Sequence, residues 1–218
     1  MVKPVSSAAK ILTDFKNKQA DILIGTQMIS KGLDIPSVTF VGVICADISL
    51  NMGDFRCGET TFQLLTQVAG RAGRAALDGH VFIQTYMPEH YSVVYAGVQD
   101  YEAFYRHEIV LRKQLNYPPF THIFSVMFIG EREKDILESL YKLLAIMKAF
   151  DRKSQFEILG PAPAQISKIK SRYRWKLIIK AADETKLKNF VLFCMDKLQL
   201  DNISGITTHL TLDPMVIE

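Results

Sequence analysis

Short continuous apolar runs separated by helical patterns mark the first half of this chain. Regular alternation marks the second. The runs Asp21-Ile22-Leu23-Ile24-Gly25 and Val38-Thr39-Phe40-Val41-Gly42-Val43-Ile44-Cys45-Ala46 have the pattern of parallel strands buried on both faces. Gly79-His80-Val81-Phe82-Ile83-Gln84-Thr85-Tyr86 predicts a third strand. Helices are predicted at 6–18, with Ile11, Leu12 and Phe15 on one face, at 59–70, at 90–99 and at 101–115. Residues 47–58 read as a loop broken by Asn51, Gly53 and Gly58. Alternating strands and helices of this kind build a parallel α/β layer, in which ligands collect at the carboxyl ends of the strands. Thr26 and Gln27 follow the first strand, and Asp47 follows the second.

The two prolines of Asn116-Tyr117-Pro118-Pro119-Phe120 cannot continue a helix, so a domain boundary is expected there, dividing the chain into 1–115 and 116–218. Beyond it come a strand at 121–129, a helix at 131–150, a strand at 155–159, a loop at 160–164, a strand at 172–180, a helix at 183–199 and a strand near 205–212. That βαββαβ order is the ferredoxin-like arrangement of an α+β domain. No internal repeat interrupts it.

A length of 218 residues suits one large or two small domains. With 48% hydrophobic and 22% charged residues, the composition is that of a globular protein. No apolar run has membrane-spanning length and the N-terminus lacks a signal-peptide core, so a cytoplasmic location away from membranes is expected. Cys45, Cys57 and Cys194 are too widely spaced for a disulfide framework or a C-x-x-C metal site. The net charge is only +3, but 1–115 carry 11 basic and 11 acidic residues while 116–218 carry 15 and 12. Lys168, Lys170, Arg172, Arg174, Lys176 and Lys180 follow one another without an intervening acid, which fits either a polyanion-binding surface or a solvated strand face. If 172–180 is a strand, Arg172, Arg174 and Lys176 share one face and Tyr173, Trp175 and Leu177 the other. Trp175 then either packs in the core or stacks on a base.

Two stretches carry candidate chemistry. In Thr26-Gln27-Met28-Ile29-Ser30-Lys31-Gly32-Leu33-Asp34, a hydroxyl, a glycine and a carboxylate could contact phosphate and ribose, though the same residues are common in turns. Gln67-Val68-Ala69-Gly70-Arg71-Ala72-Gly73-Arg74 is more specific. Its two arginines, three apart and beside glycines, suit guanidinium groups aimed at a phosphoryl group, a contact that contributes about 10³–10⁵ in rate.

Together these stretches resemble motifs five and six of superfamily-two helicases. The fuller wording is similar to the PriA replication-restart helicase family, also called primosomal protein N′. It includes Gly25-Thr26-Gln27-Met28 with Lys31-Gly32, Asp54-Phe55-Arg56, Phe62-Gln63-Leu64-Leu65-Thr66-Gln67, Ile83-Gln84-Thr85-Tyr86, Tyr117-Pro118-Pro119-Phe120, and Gly160-Pro161-Ala162-Pro163-Ala164 ahead of Tyr173-Arg174-Trp175. Gly53 and Thr60 depart from the family pattern, where proline and arginine are expected.

The resemblance implies an ATP-driven 3′-to-5′ DNA helicase that recognises stalled or branched forks and initiates primosome assembly for replication restart. It casts Arg71 and Arg74 as arginine fingers, Gln67, Gly32 and Asp34 as lining of the nucleotide cleft, and Thr26 as a contact to the DNA backbone. Lys168, Lys170, Arg172, Arg174 and Lys176 become the DNA-binding candidates of the C-terminal domain, which the family implicates in DNA contact. Implied partners are branched and single-stranded DNA, primosome proteins and single-strand-binding protein. The sequence contains no G-x-x-x-x-G-K-[ST] loop, no D-E-x-H-type acidic motif and no cysteine-rich insertion. The expectation is therefore a C-terminal portion of such a helicase: a partial RecA-like parallel sheet followed by the ferredoxin-like domain. ATP with Mg2+ is expected to be held mainly by another lobe, and the family's zinc by residues other than these. Two rivals remain: a non-enzymatic nucleic-acid-binding module, and a fork-remodelling translocase of the same superfamily.

Overall fold

In the computed structural model, the change of pattern near residue 116 becomes a change of sheet type. The structure describes residues 5–26, 38–70, 79–198 and 205–217. The chain divides into two compact units, Met1–Asn51 with Arg56–Arg106, and Met52–Phe55 with His107–Glu218.

The first unit contains α1 (Val5–Lys16), β1 (Phe40–Val43), α2 (Asp47–Leu50), α3 (Cys57–Ala69), β2 (His80–Ile83), α4 (Tyr91–Gly97) and the first half of α5 (Tyr101–Gln114). β1 and β2 pair in parallel, from Phe40 opposite His80 to Val43 opposite Ile83. A parallel pair requires a crossover, and α2 and α3 lie within it. The apolar spacing of α3 places Phe62 and Leu65 against Val93 and Ala96 of α4 and against Phe104, with the Phe62 and Phe104 rings stacked at 4.2 Å. The expected loop at 47–58 begins with one helical turn, α2, which Asn51 closes by donating from its side chain to the Asp47 carbonyl at 3.0 Å. Gly53 follows at φ +66, a conformation that favours glycine.

The run at 21–25 corrects the sequence reading. Residues 22–26 form no strand, and Ile22 and Ile24 are 78% and 86% exposed. A strand buried on both faces needs an edge to pair with and a helix over each face. Apolar side chains alone supply neither.

The second unit runs β3 (His122–Gly130), α6 (Glu133–Phe150), β4 (Glu157–Ile169), β5 (Arg172–Ala181), α7 (Glu184–Leu198) and β6 (Ile206–Leu212). Its sheet has the order β4-β5-β3-β6, antiparallel throughout, which is the ferredoxin-like topology. α6 and α7 cover one face. Phe124, Val126 and Phe128 of β3 and Leu177 and Ile179 of β5 pack there on Leu140, Leu143, Leu187 and Val191. Cys194 joins this core, and burial pushes its thiol up to about 11.

The expected loop at 160–164 is a second correction, because β4 runs straight through it. Proline lacks the N–H that a central strand must donate, but β4 lies at the sheet edge, where one side of the strand needs no partner. Register shifts between Leu159 and Ala162 and between Pro163 and Lys168 absorb the irregularity. Gly160 sits at φ +104, and a Cβ there would lie 2.9 Å from the Lys176 carbonyl. Only glycine lets the two strands approach at that point.

Leu140 has no exposed surface and lies at the centre of the helix-covered core. Leu140→Ala should lower the stability of the antiparallel unit by about 2–5 kcal/mol, read from the midpoint of urea unfolding.

Candidate functional site

Residues at the carboxyl ends of β1 and β2 position the first half of the site. The backbone ladder continues past both strands, with the Gln84 amide donating to Val43 at 2.9 Å and the Ala46 amide to Gln84 at 3.0 Å. There the buried Asp47 carboxylate accepts from the Thr85 hydroxyl at 2.8 Å and from the Tyr86 amide at 3.1 Å. Burial would raise the pKa of Asp47. The Thr85 hydroxyl and then the backbone amides more than offset it, holding the carboxyl below its ordinary value. Thr85 thus ties the ends of two adjacent strands, a structural role within Ile83-Gln84-Thr85-Tyr86. Sequence reasoning noted Asp47 only as a polar strand end and missed its partner 38 residues away.

Gln67 lies exposed on the last turn of α3, beyond the buried Phe62 and Leu65. Gly70 ends that helix at φ −68, and a Cβ there would meet only ordinary contacts, the nearest being the Thr66 carbonyl at 3.6 Å. The backbone does not itself demand glycine at this position. Thr26 is exposed as well. Gly32, Asp34, Arg71 and Arg74 lie outside the described residues.

The five basic candidates share the hairpin made by β4 and β5. The alternation expected for β5 holds: Tyr173, Trp175 and Leu177 face the helices, and the Trp175 indole donates to Glu133 at 3.0 Å. Trp175 is therefore a packing residue. The opposite face is not the open row of cations expected. Arg174 is only 8% exposed and donates to the Ile166 carbonyl at 3.4 Å and to the Met127 sulfur at 3.5 Å. Lys176 donates to the Ile217 carbonyl at 3.2 Å, and Arg172 to Thr207 at 2.8 Å. Burying a cation costs far more than leaving it in water unless acceptors surround it, so the buried Arg174 serves the fold, while Lys176 is half-buried and held by its one carbonyl. Lys168 and Lys170 are exposed and Arg172 is half-buried.

Lys180, further along the same strand, shows the rule at full strength. It is 3% exposed, pairs with Glu157 at 2.9 Å, donates to the Leu115 carbonyl at 2.9 Å and lies 4.4 Å from the centre of the Tyr117 ring. Tyr117 stacks on Phe55 at 4.8 Å, the Arg112 guanidinium lies over Phe55 at 5.1 Å, and Asp54 accepts from the Ile217 amide at 2.7 Å. Asp54-Phe55 and Tyr117 thus form one joint within the second unit. The joint links stretches far apart in sequence, which no local pattern reveals.

The chain thus carries a parallel α/β unit with Gln67 exposed on α3 and a ferredoxin-like unit with a basic hairpin, and two family models give these their class. The family model described as helicase conserved C-terminal domain matches residues 3–76, and that described as primosomal protein N C-terminal domain matches 113–215. Replication restart protein PriA from Bacillus subtilis is 47% identical over 178 residues, covering 82% of this chain and 22% of its own length. The proteins of that name from Synechocystis and Rickettsia felis are 37% and 38% identical, covering 95% and 94% of this chain and 24% and 30% of their own lengths. The chain belongs to the PriA replication restart family and spans between a fifth and a third of the length of these relatives.

Burial, then the charges of Glu157 and Asp54, raise the Tyr117 pKa above its ordinary 10.0. An acid whose pKa rises on folding holds its proton more tightly in the folded chain. Its contribution is full below pH 10.0 and is lost as pH climbs through the folded value. Spectrophotometric titration of the 8 tyrosines should show a late ionisation that Tyr117→Phe removes. A titration whose late limb survives the substitution would contradict this assignment.

Proposed function

We propose that this chain provides the arginine side of ATP hydrolysis and part of the DNA grip of a 3′-to-5′ DNA helicase acting at stalled or branched forks in replication restart. The observation that carries this reading is the exposed Gln67 at the head of the run Gln67-Val68-Ala69-Gly70-Arg71-Ala72-Gly73-Arg74. The run begins on the exposed last turn of α3 and lies within the stretch matched by the helicase model. Gly70, which its backbone does not require, supports close approach by a ligand there. Arg71 and Arg74 act as fingers on the phosphates of ATP with Mg2+, and Gln67, Gly32 and Asp34 line the same cleft. The phosphate-cradling loop and the Mg2+-holding carboxylates come from another lobe, because the sequence here has neither motif.

DNA contact falls to Thr26, to the exposed Lys168 and Lys170, and to the half-buried Arg172. Arg174 and Lys176, already engaged inside the fold, set the hairpin in place. Primosome proteins and single-strand-binding protein are the partners this role requires.

The chain alone should bind branched DNA in a filter assay and hydrolyse no ATP. Duplex affinity should fall with salt by a logarithmic slope of about 0.9 for each phosphate neutralised. DNA-stimulated hydrolysis by the isolated chain would overturn the division of labour between lobes.

A further inference from the structure

The tip of the β4–β5 hairpin combines three features that set it apart from the rest of the sheet. The first is charge: residues 158–182 contain no acid, and Lys168, Lys170 and Arg172 cluster at the turn. The second is apolar exposure. Ile166 and Ile169, on either side of Lys168, are 58% and 43% exposed, whereas the isoleucines further along β5 are buried. The third is the turn itself. Lys170 and Ser171 hold φ of +46 and +63, the geometry of a two-residue hairpin turn that favours Asn-Gly. A lysine and a serine in left-handed conformations strain the apex, and strain of this kind persists where the surrounding structure holds it for a purpose.

The base of the tip is firmly held. Ile169 pairs with Arg172 and Lys168 with Tyr173, the last β5 residue before the turn that also pairs with β3. The Lys168 ammonium lies 4.2 Å from the centre of the Tyr173 ring and donates to its hydroxyl at 3.1 Å. Arg174 fastens the Ile166 carbonyl from below. Exposed branched apolar side chains on a rigid arm that also carries cations match a ligand whose apolar faces lie beside regularly spaced phosphates. Unstacked bases beside a sugar-phosphate backbone meet that description, and aliphatic wedges at base steps exploit it.

We propose that the hairpin tip is a wedge for the junction between paired and unpaired DNA. Ile166 and Ile169 contact the unstacked bases, and Lys168, Lys170 and Arg172 hold the flanking phosphates. The inference rests on the DNA-binding reading above and adds to it the hairpin tip as the element that reads the junction.

The test uses the whole chain and a synthetic fork carrying 2-aminopurine at the junction, beside a blunt duplex of equal length. The wild-type chain should prefer the fork and raise the 2-aminopurine fluorescence on binding. Ile166→Ser with Ile169→Ser should abolish that rise and cut the fork preference roughly tenfold, the order expected when the aliphatic contact at a base step is lost. Duplex affinity and melting temperature should stay unchanged in that variant. Lys170→Asn with Ser171→Gly should raise the melting temperature while lowering the salt slope by about 0.9, one phosphate contact. If the serine variant keeps both the fluorescence rise and the fork preference, the wedge is wrong and DNA binding stands. Equal weakening on fork and duplex, with the fold intact, also rules the wedge out. A wild-type chain that binds neither DNA removes both readings together.

Discussion

A cation on the buried face of a strand must find acceptors, and β5 carries three in succession: Arg174, Lys176 and Lys180. The apolar residues between them are settled by α6 and α7, which cover their face. The cations are settled by carbonyls from the edge strand and from segments distant in sequence. Residue 166 supplies a carbonyl to Arg174, residue 217 one to Lys176, and residue 115 one to Lys180, with Glu157 completing the last site. Arg174 and Lys180 are buried and Lys176 is half-buried, so each of these carbonyls replaces water that the fold has displaced. Arg172, at the end of the series, is only half-buried, and the chain beyond it turns outward into the exposed tip.

How much of this could be read from sequence depended on whether a signal was local. The alternation of β5 predicted its two faces, and the 3.6-residue spacing of Phe62 and Leu65 predicted the buried side of α3. The distinction between an open row of cations and a satisfied one was invisible, because the acceptors lie 8, 41 and 65 residues from their donors. Ile22 and Ile24 misled for the reverse reason. An apolar run reports that side chains seek burial, not that a neighbouring strand is at hand. Pro161 and Pro163 looked like a loop because the rule against proline in strands weakens only at a sheet edge, and edge position is set by topology.

The residues that carried the family resemblance divide into two kinds. Gln67 is exposed, on a helix whose other side is packed, and suits chemistry. Thr85, Asp54, Phe55 and Tyr117 are engaged in hydrogen bonds or ring stacks within their own units. Their identities follow from the scaffold: a hydroxyl to bridge strand ends, and an aromatic platform beneath a buried ammonium. A family signature of this sort records the demands of the fold as much as those of catalysis.

Residues 52–55 belong with the antiparallel unit, although the chain on both sides of them belongs with the parallel one. The backbone therefore crosses from one unit to the other three times. No single cut can separate them cleanly. A chain divided after Arg106 would leave the Ile217 amide without the Asp54 carboxylate and Tyr117 without the ring of Phe55. The accessory unit is thus not a detachable module appended to a helicase lobe, and recombination at one point could not transplant it intact.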